Sequence, residues 1–364
     1  MTRSSLCALF LLVACNPSSS EAPSPPPHAS AAAAGTTSAA PAASAAPGKR
    51  GPRAYVSNEA SGDVTVIDLT EGQSVANIPV GKRPRGIQHS PDGAFVYVAL
   101  SGSVPAGPGS TGDAGPADKS ADGIGILSTE TRTLVGRLPS GSDPEQFAVS
   151  VDGKKLYISN EDAALVSIVD TGTKQIDKSI PVGEEPEGVA ASPDGRWVYV
   201  TSEAKNAVFV VDTLAGKVVT QLAVGARPRA AGFLPDSSKA YVTSEAGGSV
   251  AVVLLPSHKI VKTLKLEGEN VRPMGIVVAP DGKLAYVTTG HGGTVVVLDT
   301  AKDEPVASIP VGKRPWGIAI TPDGKTLYVA NGPSNDVSVV DTGTRKETGR
   351  IRTGEKPWGI TLVP

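Results

Sequence analysis

Seven prolines in this 364-residue chain are flanked by side chains suited to recognition chemistry. Starting near the C-terminus and then following the chain, the flanking pairs are Lys356 and Trp358, Arg83 and Arg85, Asp143 and Glu145, Glu185 and Glu187, Arg227 and Arg229, Arg272 and Met274, and Arg314 and Trp316. Five of the seven sets carry cations, and the two acidic sets are neighbours. Arginine forks grip carboxylate or phosphate bidentately, and tryptophan adds a stacking face. Clustered carboxylates raise one another's pKa or hold a hard cation such as calcium. Glu161 and Glu203 lie in the acidic stretches, Glu59 and Glu245 beside cationic ones. One reading is a polarised mouth, a cationic arc with two indoles facing an acidic wall. The other is a solvated rim whose charges pair with one another, each pair contributing about 0–1 kcal/mol and recognising nothing. Asp143, Glu145 and Glu161 favour the first, because their own stretch of chain supplies no cation.

The elements that must position these residues repeat. The tyrosines are Tyr55, Tyr97, Tyr157, Tyr199, Tyr241, Tyr286 and Tyr328, at spacings of 42, 60, 42, 42, 45 and 42, and each opens a variant of Tyr-Val-Thr-Asn. Around most of them lie an apolar strand opened by Pro-x-Gly, a turn of the Pro-Asp-Gly type, the tyrosine strand, a valine-rich strand closing on Asp-Thr, and a last strand ending in Val-Gly. Period-2 alternation, β-branched residues and Gly or Asp turns predict four antiparallel strands per unit, the pattern of a propeller blade. The chain ends on KPWGITLVP, an opening strand with no blade after it, and its first unit begins at GPRAYVSN, a tyrosine strand with no opening strand before it. Joined, they complete one blade. The expected fold is therefore an all-β, seven-bladed β-propeller over residues 51–364, closed by pairing of the C-terminal strand with the N-terminal blade, leaving no sheet edge at the seam. In that geometry the Pro-x-Gly loops and the loops after the tyrosine strands share one face.

The repeated phrases closely resemble the YVTN-family β-propeller repeat of surface and periplasmic proteins. The resemblance covers about residues 51 to 364 and implies a fold without naming a function, since propellers host many chemistries. It also implies kinship with lactonase and haem-related propellers.

The first residues, MTRSSLCALFLLVAC, hold Arg3 and then an apolar run too short to remain in a bilayer. Residues 1–14 read as a signal peptide. Leu12-Val13-Ala14-Cys15 resembles the bacterial lipobox, which implies lipidation of Cys15 and, with Asn16 following, retention at the outer membrane. Residues 15–50 are Pro, Ala and Ser with almost no large apolar side chain, a disordered tether reaching on the order of 30 Å. The insertion over 101–122 reads as a disordered loop in the second blade. The only cysteines, Cys7 and Cys15, leave the domain without a thiol, which excludes thiol catalysis. A net charge of -2 argues against general polyanion binding.

The leading expectation is a monomeric, lipid-anchored, non-catalytic binding or scaffold module. It recognises a small anionic ligand or a partner protein through Arg83, Arg85, Arg227, Arg229, Arg272, Arg314, Lys356, Trp316 and Trp358, opposed by Glu145, Glu161, Glu187 and Glu203. No metal or cofactor is assigned. A lactonase-like or haem-related enzyme is the alternative, with Glu161, Glu203 and His291 as its candidate titratable groups. Single-stranded nucleic-acid binding through the indoles and arginines is least favoured. His89 and His258 are read as lacking partners.

Overall fold

The computed structural model describes residues 51–103 and 117–364. The expectations for the signal peptide, Cys15 and the tether lie outside the described residues, as does segment 104–116 of the insertion. Of that insertion, Lys119–Ala121 form a 3-10 turn. Lys82 pairs with Asp118, and Asp122 accepts from the backbone N–H groups of Gly102 and Asp143 at 2.8 and 3.0 Å. These ends are thus held to the rim.

Seven four-stranded antiparallel sheets form the ring. The chain is a seven-bladed β-propeller. The closing blade, numbered one, runs from the inside outward as Pro357–Val363, Arg53–Asn58, Asp63–Asp68 and Gln73–Pro79, with Tyr55 opposite Thr361. Blades two to seven follow in chain order and carry Tyr97 to Tyr328. Ring closure therefore follows the pairing expected from the two orphan strands.

The repeated residues have separable tasks. Each tyrosine enters one of seven apolar clusters that fill the gaps between adjacent blades. Tyr55 packs with Ile87, Val96 and Val98 of the next blade, and Tyr241 with Ala285 and Val287 of blade six. In four blades the hydroxyl two residues after the tyrosine ties neighbouring blades together. Thr243 accepts from the N–H of Ala230 in its own inner strand at 3.0 Å and donates to the Met274 carbonyl of the next blade at 2.6 Å. Ser57, Ser159 and Thr288 do the same toward Arg85, Glu187 and Trp316. That closeness explains the glycine of Pro-x-Gly in the five blades that carry it, at Gly86, Gly188, Gly275, Gly317 and Gly359. A Cβ on Gly317 would sit 2.6 Å from the Trp358 carbonyl oxygen, so a larger residue would push the inner strands apart. At the outside, all seven outermost strand pairs carry a register shift, which twists the exposed edges away from intermolecular pairing.

Candidate functional site

The rim is built by latching two loops of the same blade. The N–H of Glu59 donates to the Lys356 carbonyl at 2.9 Å, Glu161 to Asp143 at 3.0 Å, Glu203 to Glu185 at 3.0 Å and Glu245 to Arg227 at 2.8 Å. The residue before the rim proline takes a left-handed backbone in six blades, at Arg83, Asp143, Glu185, Arg227, Arg314 and Lys356, with φ between 43° and 52°. This conformation is uncommon for residues with a Cβ and costs on the order of 1 kcal/mol or more. The sharp bend it makes leaves Arg227, Arg314 and Lys356 exposed while Glu187, Arg229, Met274, Trp316 and Trp358 line the central channel.

On blades one to five the charges pair, but in burial and across blades, unlike a solvated rim. Arg85 of blade two bridges Glu59 of blade one at 2.9 Å and Glu145 of blade three, whose side chain is wholly buried. Arg83 lies 3.7 Å from both Glu59 and Asp143 and 3.9 Å from Glu145. The cations absent from the acidic blade's own sequence thus come from its neighbour. A second knot centres on Arg229 of blade five, which meets Glu187 at 3.1 Å, Glu245 at 2.6 Å and Glu203, while Arg227 holds Glu203 at 2.6 Å. Burial disfavours charge on Arg229, but Glu187, Glu203 and Glu245 outweigh it and raise its pKa. Burial pushes Glu59 and Glu245 up, yet Arg85 and Arg229 respectively outweigh it, so both stay below the ordinary value. Such pairs lock geometry, and breaking one strands a buried charge.

Two carboxyls escape this balance. Burial, then Glu187 and Asp143, raise Glu161 to about 7 against the pull of Arg85 and Arg83. Burial and Glu187 raise Glu203 to about 7 despite Arg229 and Arg227. Glu161 has no ion pair among the described residues, and Asp143, Glu145 and Glu161 bring one oxygen each within 4.8 Å of the others. That spacing suits shared protons or a hard cation.

Blades six, seven and one differ. The side chains of Arg272, Arg314 and Lys356 make no ion pair among the described residues, and Arg272 and Lys356 act on Glu245 and Glu59 only through space. Trp316 and Trp358 meet edge to face with centroids 5.1 Å apart, and the Arg314 guanidinium lies 5.2 Å from the Trp316 ring. Both indole Nε1 atoms are buried without an acceptor. The channel beside them has a cavity of about 350 Å³.

The cationic arc expected from sequence is therefore divided. Arg83, Arg85, Arg227 and Arg229 are committed to Glu59, Glu145, Glu187, Glu203 and Glu245, while Arg272, Arg314, Lys356 and the two indoles are not. Glu59 and Glu245 belong to the site more fully than their sequence context implied; the signal is a glutamate four residues after a tyrosine. The expectation that His89 and His258 lack partners is corrected. His89 Nδ1 lies 2.8 Å from Thr361 Oγ1 across the seam, and His258 Nδ1 lies 2.8 Å from the Tyr199 hydroxyl, beside Trp197.

Comparison with solved structures returns propellers. The chain is similar to a Kuenenia stuttgartiensis hydrazine synthase chain, with 22% identity, a TM-score of 0.69, and coverage of 79% of this chain and 92% of that one. It is also similar to putative 6-phosphogluconolactonases of Bacteroides fragilis and Bacteroides uniformis, both 18% identical. Their TM-scores are 0.70 and 0.69, with 87% and 86% of this chain covering 99% and 100% of theirs. At these identities the likeness shows the fold alone. No curated protein matches the sequence. A family model described as Lactonase, 7-bladed beta-propeller matches residues 190–359. A second family model, the choice-of-anchor I domain, matches residues 34–231, more than half of the chain, and the protein belongs to that family.

Proposed function

We propose that the protein is a non-catalytic binding module of the cell envelope that takes a small anionic ligand at the channel mouth, between Trp316, Trp358, Arg272, Arg314 and Lys356. The observation that carries this reading is the pair of buried indole N–H groups with no acceptor among the described residues, next to cations that make no ion pair there. A buried unpaired donor costs about 1–3 kcal/mol, and a ligand oxygen would relieve it. The paired arginines of blades two and five act as the frame rather than the grip. A family named for a choice of anchors supports a cell-surface or secreted protein. Within that, the Leu-Val-Ala-Cys segment supports an outer-membrane lipoprotein held by Cys15, and the tyrosine phrase supports kinship with the YVTN repeat proteins. A single closed ring with bulged edges supports a monomer.

The test is a thermal-shift titration of the full chain with benzoate, citrate and glucuronate against chloride at equal ionic strength. A ligand of the native state raises the melting temperature progressively with concentration. If none exceeds chloride, the reading fails.

A second reading, lactone hydrolysis, draws on the lactonase family model and on Glu161 and Glu203, whose pKa values near 7 suit proton transfer at neutral pH. In that reading ionised Glu161 takes a proton from the water that attacks the lactone carbonyl, and returns it to the ring oxygen as the acyl–oxygen bond breaks, leaving the hydroxy acid. Release of acid from 6-phosphogluconolactone or gluconolactone by the wild type, but not by Glu161→Gln, would establish it; equal rates would remove it.

A further inference from the structure

A second cavity, about 600 Å³, opens between blades six and seven, and none of its lining residues lines the channel. One wall is the 3-10 turn Gly290–Gly292, which carries the exposed His291; another is the turn Gly332–Ser334. Lys313 and Arg314 lie between them, positioned by the backbone. The Lys313 N–H donates to Ser334 Oγ at 2.8 Å, and Arg314 holds its left-handed bend at φ 49°. Arg350 closes the outer side.

The charges do not cancel. No Asp or Glu lines the cavity. Arg350 is answered by a fork to Glu347, at 2.8 and 3.1 Å, with Asp336 at 3.8 Å. Lys313 and Arg314 have no such partner among the described residues. Two positive charges on a held backbone therefore line one crevice, and a dianion would neutralise them. The donors also approach from a turn, a loop and an outer strand, directions that the several oxygens of a tetrahedral anion match better than the two of a planar carboxylate.

We propose that this crevice is a binding site for a phosphate-class dianion, gripped by Lys313 and Arg314, with His291 and Arg350 on its walls. The site is separate from the channel mouth and shares with it only Arg314. His291 adds a readout. Its pKa lies below the ordinary value because of burial and because Arg314 and Arg272 repel its proton, Glu245 pulling weakly the other way; Lys313 and Arg350 add to the positive side of the crevice. A bound dianion reverses that field, so binding draws a proton onto His291.

The test titrates inorganic phosphate into the full chain by calorimetry, at constant ionic strength with chloride as the balance, in two buffers of different ionisation enthalpy. The expected result is saturable binding, weakened at least about tenfold in Lys313→Ala by loss of one charge-assisted hydrogen bond. Phosphate itself gives up a proton when it binds as the dianion near neutral pH, so the uptake by His291 is read as the difference in proton balance between wild type and His291→Gln. His291→Gln should keep binding at pH 8 and lose the proton uptake. Vesicles containing phosphatidic acid form a second arm. Lys313-dependent binding to vesicles and not to free phosphate would place the same chemistry on a lipid headgroup, and the reverse would make the ligand soluble. Phosphate and chloride behaving alike with no vesicle binding, or binding indifferent to Lys313→Ala, would overturn the proposal. Lys313→Ala should leave benzoate at the mouth unaffected, so either site can fail without the other.

Discussion

Glu161 offers the sharpest check on the electrostatics of the mouth. Its carboxyl has no ion pair among the described residues, and burial, then Glu187 and Asp143, raise its pKa from the ordinary 4.5 to about 7. Between those two pH values the folded state holds a proton that the unfolded chain has released. Stability must then fall as pH rises through the window. At about 1.4 kcal/mol per pH unit the full penalty is roughly 3 kcal/mol, present above pH 7 and absent below about 4.5. Glu161→Gln keeps the shape of the protonated acid and cannot ionise. Wild type and variant should therefore melt together at pH 4.5 and diverge as pH rises, with the variant more stable by about 5 °C at pH 8 for a domain of about 300 residues. Scanning calorimetry at pH 4.5, 6, 7 and 8 measures this. Superimposed melting curves at pH 8, or a less stable variant, would show that Glu161 is solvated or paired and refute the reasoning. The neighbouring Glu145→Gln should do the opposite, because it strips buried Arg85 of a partner; at pH 7 it should cost about 3–5 kcal/mol.

Removing residues 355–364 takes away the inner strand of blade one and the channel wall at Trp358, exposing the edge at Arg53–Asn58. Circular dichroism should show loss of the cooperative melt of the whole ring, and an unchanged melt would contradict closure at this seam. Thr243→Val removes a hydroxyl bonded to two blades and leaves the Ala230 N–H and Met274 carbonyl without it. Denaturant unfolding should show a loss of about 1–3 kcal/mol, whereas no loss would mean that the hydroxyl does not staple the ring.

Much of this was legible in the sequence because the repeat is short-range. A tyrosine in every repeat unit fixes which strand faces the next blade, and the unmatched segments at KPWGITLVP and GPRAYVSN determine how the ring must close. The rim positions around the prolines follow from the same geometry. Their pairing does not. Arg85 reaches partners 26 and 60 residues away, on the blades to either side, and repeat alignment cannot show which rotamer a side chain takes between two carboxylates. His258 was opaque for the same reason, since its partner Tyr199 lies 59 residues earlier. The uneven commitment of the arginines, spent on blades two and five and free on six and seven, became visible only when the glutamates that follow four of the tyrosines took their places in space.

The measurement closest to the central claim is a benzoate titration followed by tryptophan fluorescence at constant ionic strength, in wild type and in Arg272→Glu/Arg314→Glu. Both arginines are exposed, so the variant should melt within about 1 °C of wild type, as surface substitutions do. A saturable change in the wild type, weakened at least about tenfold in the variant, is the predicted result. No saturable change, or the same affinity in both proteins, would contradict an anion-binding mouth.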